Sequence, residues 1–261
     1  MSDQTRWYSP DTLEIMEQVK SADGKKMVKA TLVHARKLGL LPSVTSVMKE
    51  TMATGHNLIT WMKDQLMQAC MSYPFDGDPE NDEVVKKYKA MVTAKADEYG
   101  KHAADEGSRL HGYVQQWIES RGQQKTDDPV GARIIDFIND DLQKENTVDL
   151  IAEQSVGSLA LGCAGTPDIY AKTTDGDIIY DLKTTNFEKY KKPYDSWKVQ
   201  FGGYLYLTEA NEGTRIKQAV SDRATGDTIF IEHENPEQWR QHYINCLENF
   251  FILKGYDPRE V

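Results

Sequence analysis

The stretch GTPDIYAKTTDGDIIYDLKTT, residues 165–185, constrains the fold of this chain more than any other. Two short apolar or alternating runs, 163–172 and 177–185, flank TTDGD (173–177), whose Asp-Gly step is a hairpin signal. Successive side chains of a strand alternate between its faces, so Asp181 and Lys183 project together while Leu182 points to the opposite, core side. Asp168 lies on the preceding strand, and pairing of the hairpin brings it beside Asp181. Two adjacent carboxylates repel unless something positive sits between them. Mg2+ or Mn2+ suits that position, because hard cations prefer oxygen ligands. Lys183, one step away, can orient a water or stabilise charge on a phosphate. A metal, a positioned water and a cation are what phosphodiester hydrolysis requires. Taken singly, each aspartate reads as a solvated strand-end residue. The signal is the combination of Pro-Asp, a hairpin-length spacer and Asp-X-Lys, and structural context has to confirm so short a motif.

The first half of the chain reads mainly helical. Residues 57–71 place Leu58, Trp61, Met62, Leu66 and Ala69 at helical spacing, and 72–82 has the Pro, Gly and Asp punctuation of a loop. A second helical pattern runs from about Val84 to Ile118 and aligns Ala103, Gly107, Leu110, His111, Val114 and Trp117 on one face. The pattern changes after residue 148. A strand is expected over 151–160 ahead of the hairpin, then a helix over 195–210 and strands over 215–222 and 227–233. A last helix opens at Asn235-Pro236, buries Trp239, Tyr243, Leu247, Phe250 and Phe251, and ends at Gly255. This order predicts an α/β protein with a central mixed β-sheet flanked by helices. The expected division is a helical N-terminal lobe, 1–82, packed on a core, 83–261.

Bulk properties narrow the function classes. Hydrophobic residues make up 39% of the 261, which fits a globular chain. No apolar stretch approaches the roughly 18 residues that span a bilayer, and the N-terminus lacks a basic region followed by an apolar run. The expectation is a cytoplasmic protein with no membrane partner. Cys70, Cys163 and Cys246 are scattered, which argues against a disulfide framework and against an iron–sulfur cluster, and reads as ordinary buried thiols. A net charge of −10 counts against passive coating of DNA. It leaves room for DNA held in a local basic groove with bound divalent metal. No Gly-rich P-loop is present, which excludes ATP hydrolysis by that device.

With these residues in view, the sequence resembles the PD-(D/E)XK nuclease superfamily, its signature reading Pro167-Asp168 … Asp181-Leu182-Lys183. Four further features follow the order and spacing of its exonuclease branch: Gly107 to His111 (GSRLH), Glu153, Gln200 with Tyr204, and Pro42 to Met48 (PSVTSVM). The set looks most like the mitochondrial genome maintenance exonuclease group with its phage and bacterial relatives, over roughly residues 41–210. The resemblance implies Asp168, Asp181, the Leu182 carbonyl and His111 as ligands of Mg2+ or Mn2+, with Glu153 supporting the metal site. It implies Lys183 as the residue that positions the attacking water or stabilises the pentavalent state. Gln200 and Tyr204 would orient Lys183 or contact the DNA backbone, and Ser43 and Thr45 would contact a phosphate. The implied activity is a DNA exonuclease acting on single strands or DNA ends in recombination, replication or repair. A single-strand annealing or single-strand-binding protein would be its partner.

Each residue also has a plainer reading. His111 on an apolar helix face is by default a satisfied core histidine. Glu153 reads equally as a surface strand residue. Ser43-Val-Thr-Ser is a helix N-cap, although such an N-terminus is also a ready phosphate site. Gly202-Gly203 costs about 1 kcal/mol per glycine in a helix interior, which points to close packing there. Lys189, Lys191 and Lys192, mixed with Tyr190, Tyr194 and Trp197, suit single-stranded DNA or are a solvated loop. Arg36, Lys37 and Arg109 are further candidates for that groove. The competing functions are a structure-specific or restriction-type endonuclease on the same core, a non-catalytic DNA-binding protein, and an acidic metabolic enzyme or interaction domain.

Overall fold

The computed structural model describes residues 5–21, 24–52, 56–188, 192–208 and 214–261. The chain forms two compact units, Met1–Met52 with Tyr113–Val261, and Ala53–Gly112. In the first unit the front of the chain holds strands β1 (Trp7–Tyr8), β2 (Gln18–Lys20), β3 (Met27–Lys29) and β4 (Leu41–Pro42), with helices α1 (Leu32–Leu38) and α2 (Val44–Thr51). Helix α3 (His56–Ser72) and most of α4 (Asp82–Glu119) make up the second unit. The first unit continues with α5 (Pro129–Lys144), strands β5 (Thr147–Ala152), β6 (Val156–Ser158), β7 (Cys163–Gly165), β8 (Ile169–Thr173) and β9 (Ile178–Thr185), then α6 (Asp195–Leu207), β10 (Arg215–Asp222), β11 (Thr228–Ile231) and α7 (Pro236–Lys254).

The α/β class follows the sequence reading, but the front of the chain departs from it. Residues 5–42 are not simply helical: β1 pairs with β4 and β2 with β3, both antiparallel. Trp7, Val19, Ala30, Ala35 and Leu40 are buried with α2, α6 and α7 in one hydrophobic cluster. Strands of two or three residues are too short to show a period, so their pairing leaves no trace in the pattern. The strand expected over 151–160 is in fact β5 and β6, broken at Glu153, whose φ of +53° turns the chain. Helix α5 is additional. Its signals are present in the sequence, since Asp128 caps Val130 and Gly131, Pro129 opens the helix, and Ile134, Ile135, Ile138 and Leu142 are buried.

The main sheet has the order β11-β10-β9-β8-β5. Only β9 and β10 run parallel; the other neighbours are antiparallel, so the sheet is mixed. Parallel neighbours need a crossover, and α6 supplies it. The two faces of the sheet are covered differently. On one, Tyr180 and Lys217 reach α5: the Tyr180 hydroxyl donates to Asp141 (2.7 Å), and the Lys217 ammonium donates to Asp141 and Glu145 (each 2.7 Å at closest). On the other, Asp181 and Gln218 meet α6. Helix α6 in turn lies on α7 at very short range. A Cβ on Gly202 would fall 2.1 Å from the Trp239 carbonyl oxygen, and one on Gly203 would fall 2.6 Å from Val44 Cγ1. Gly202 makes room for the α7 backbone, and Gly203 for the side chains of Val44 and Tyr243. On α7, Tyr243, Leu247, Phe250 and Phe251 are buried as expected; Trp239 is half-buried, under the Lys198 ammonium at 4.9 Å. Gly255 ends the helix in the left-handed region, whereas Asn235 makes no side-chain cap bond.

Candidate active site

The strand register assembles the site. The β8–β9 ladder runs to Ile169 opposite Tyr180, so its next step sets Asp168 opposite Asp181. The β5–β8 ladder ends with Ala152 opposite Ile169, and Glu153 N–H donates to the Asp168 carbonyl at 3.1 Å, one step further. On the far side Asp181 stands opposite Gln218 of β10. Asp168, Asp181 and Gln218 therefore stand in one row, with the Glu153 backbone beside Asp168. Glu153 belongs to the turn after β5 rather than to a strand, and its side chain is exposed.

Asp181 is 2% exposed and is held at both oxygens. Its Oδ1 accepts from the Lys183 ammonium at 2.7 Å and from Gln200 Nε2 at 3.3 Å; its Oδ2 accepts from Gln218 Nε2 at 2.6 Å. Asp168 Oδ2 accepts from the Leu182 backbone N–H at 2.6 Å. A strand residue's N–H and C=O point to the same neighbour, so the Leu182 carbonyl faces the Asp168 side as well. Burial, first of all, pushes the Asp181 carboxyl up from its ordinary value; Lys183 pulls it down, and the nearby Asp168 charge pushes it up again. The two carboxylates are thus within electrostatic reach of each other.

The loop before Asp168 is tied down at Thr166. Its carbonyl accepts from the Tyr204 hydroxyl (3.2 Å), and its Oγ1 pairs with the hydroxyls of Tyr8 (2.8 Å) and Ser155 (3.1 Å). Gln200 Nε2 also donates to the Tyr204 hydroxyl (3.3 Å), so α6 braces both aspartate segments.

The remaining expected site residues fall as follows. Gln200 touches Asp181 rather than Lys183. Tyr204 is buried behind Gln200, both its partners are internal, and it does not present its hydroxyl to a phosphate. Ser43 is the N-cap of α2, buried, with Oγ on Ser46 N (3.0 Å) and Ser46 Oγ (2.8 Å); Thr45 Oγ1 lies 3.2 Å from it. The capping reading describes Ser43 as placed. Trp197 is half-buried, edge-on to Tyr194 at 4.6 Å, and Lys192 is exposed. Lys189, Tyr190 and Lys191 lie outside the described residues. Arg109 and His111 lie on α4 in the second unit, where Arg109 pairs with Glu106 at 3.4 Å. Sequence reading missed Tyr8, Ser155, Gln218 and His233, which come from distant segments and carry no motif.

Among the described residues, no group of three or more His, Cys, Asp and Glu side chains is placed to hold a metal ion together. The donors at hand are two carboxylates and one backbone carbonyl. That set fits Mg2+, which is commonly bound through one or two carboxylates and keeps several waters. Cys163 and Cys246 are buried thiols, and burial pushes Cys163 up to about 12, which keeps it inert. Among the described residues no helix is long and apolar enough to cross a membrane.

No known protein family matches the sequence, and no curated protein does. Among solved structures, the chain is similar to a "putative exonuclease" from Eubacterium rectale at 12% identity and a TM-score of 0.39, over 57% of this chain and 68% of that one. It is also similar to SSO0001 at 14% identity and a TM-score of 0.32, over 78% and 89%.

Proposed function

We propose that this chain is a Mg2+- or Mn2+-dependent deoxyribonuclease of the PD-(D/E)XK type, acting as an exonuclease on single strands or DNA ends. The observation that supports it is the meeting of Asp168, Asp181 and Lys183 at one end of β8 and β9, with the Asp181 carboxylate against the Lys183 ammonium at 2.7 Å. Asp168, Asp181 and the Leu182 carbonyl would hold the ion. A bound divalent ion supplies charge stabilisation at the phosphate and acidifies water. Lys183 sits where it can turn from Asp181 toward a phosphate oxygen or a water. Gln200 keeps Asp181 in place from α6, and Tyr204 and Thr166 keep Asp168's segment rigid. A cation and metal confined to one buried corner reconcile a DNA substrate with a chain of net charge −10.

The test is a timed digest of end-labelled single- and double-stranded DNA with Mg2+ or Mn2+. The expected result is end-dependent degradation by the wild type and none by Asp181→Ala or Lys183→Ala protein that is still folded. Intact linear DNA of both kinds after exposure to wild type sinks the nuclease reading. Cutting of circular DNA would move the assignment to an endonuclease on the same core.

A further inference from the structure

We propose that Gln218 is a positioning residue for Asp181, held in one orientation by His233. The proposal rests on the metal-dependent reading above. Gln218 is fully buried on β10, directly opposite Asp181 in the parallel register. A buried carboxamide must satisfy two donors and a carbonyl oxygen, and each unmet group is penalised. Here Nε2 lies 2.6 Å from Asp181 Oδ2 and 3.3 Å from the Trp197 carbonyl, while Oε1 lies 3.1 Å from His233 Nε2. Turning the amide over would set its oxygen against a carboxylate and a carbonyl, three acceptors with no proton between them. Only one orientation is satisfied, and it requires a proton on His233 Nε2.

His233 is itself fixed. Its ring stacks on Phe201 with centroids 4.2 Å apart, on the same helix that carries Gln200. Burial, and then the Lys198 charge, disfavour a second proton on the imidazole. The three donors to Asp181 therefore have different standing. Lys183 and Gln200 both reach Oδ1, and Lys183 is the group that has to serve the phosphate. Gln218 reaches Oδ2 from within the protein, is uncharged, and makes the shortest of the three contacts. It keeps the carboxylate plane fixed when Lys183 turns away.

Removing a hydrogen-bond partner behind a metal ligand typically costs 10- to 100-fold in metal affinity. The experiment is Mn2+ titration by calorimetry on wild type, Gln218→Leu and His233→Phe, with urea denaturation of each and cleavage measured against Mn2+ concentration. Gln218→Leu should raise the Mn2+ Kd about tenfold or more. Its cleavage should recover at saturating Mn2+, an effect on metal affinity rather than on the maximal rate. His233→Phe keeps a ring on Phe201 but leaves the Gln218 carbonyl oxygen without its donor and so loosens the amide, and should shift the Kd in the same direction by less. Folded Gln218→Leu with wild-type Mn2+ affinity overturns the proposal. Should that variant fail to fold, wild-type affinity in His233→Phe overturns it instead. Wild-type protein that binds no Mn2+ sinks the metal reading and this role together, whereas a Gln218→Leu Kd equal to a measurable wild-type Kd sinks this role alone.

Discussion

Asp181 on β9 and Asp222 at the end of the adjacent β10 are both buried aspartates, and they are held by opposite means. Asp222 accepts from the backbone N–H groups of Phe187 (2.6 Å), Ala224 (2.8 Å) and Thr225 (3.0 Å). Burial opposes its ionisation, but these amides outweigh burial and hold the carboxyl below its ordinary range. Asp181 has side-chain donors only, one of them a lysine, with a second carboxylate beside it, and its carboxyl is pushed up. Backbone amides cannot leave, so Asp222 is a structural tie between the β9 exit and the β10–β11 turn. Side-chain donors can leave, so Asp181 is equipped to exchange partners. Two residues of one type, at similar burial, differ in kind by what surrounds them, one fastened by the backbone and the other, on the proposed reading, free to act as a reagent.

The sharpest break of this contrast is functional. Asp181→Asn should lower DNA cleavage by about 10^3-fold or more, because several kcal/mol of charge stabilisation are lost with the ligand. Urea denaturation should show stability within about 1 kcal/mol of wild type, since the substitution also removes a buried charge facing Asp168. Asp222→Ala should do the reverse. It orphans three amides and should cost about 3 kcal/mol in urea denaturation, while cleavage per folded molecule stays near wild type.

Next in size is Gly202→Ala, which tests how firmly α6 is seated behind Asp181. Its Cβ would meet the Trp239 carbonyl at 2.1 Å, so α6 and α7 must part and denaturation should show a loss of about 1–3 kcal/mol. An unchanged midpoint would mean that the two helices are not packed this closely.

The smallest effect is in pH. Burial and Lys198 push His233 down from 6.5 to about 4, so between those values the unfolded chain takes up a proton that the folded chain does not. Stability should therefore fall as pH drops from 6.5 toward 4. His233→Phe should flatten that slope in thermal melts. Asp222 contributes in the same sense at lower pH, with stability present above 3.8 and lost as pH falls below it, so Asp222→Asn should flatten only the acid end.

The trio Asp168, Asp181 and Lys183 is legible because everything that unites it is local: strand alternation, a hairpin turn and a fixed spacer. The helix carrying Gln200 and the close approach at Gly202-Gly203 are legible for the same reason. Gln218 is not. It reaches Asp181 through a parallel register set by a strand that begins 30 residues after β9 ends, and no local pattern encodes which residue of β10 stands opposite Asp181. His233 is one step further removed, because its only claim on the site is through Gln218. Glu153 shows the converse. The sequence reading sets it on the strand before the hairpin, but the left-handed turn that takes its side chain off the strand has no local signal. Ser43 makes the cap bond that its sequence context predicts.

Because β9 and β10 are parallel, the chain must cross one face of the sheet to pass between them, and α6 carries it over the face that holds Asp181. The crossover between Thr185 and Arg215 is therefore more than a connector: its helix covers the corner where Asp181 sits. Asp181 is fixed by strand neighbours on both sides, whereas the covering segment is tied to the sheet at its start, through Phe187 and Asp222, and through α6. On the proposed function, lengthening or recharging the segment before Asp195 would alter what can enter while leaving Asp168 and Asp181 in place. A fold arranged this way would separate the inheritance of a reaction from the inheritance of its substrate.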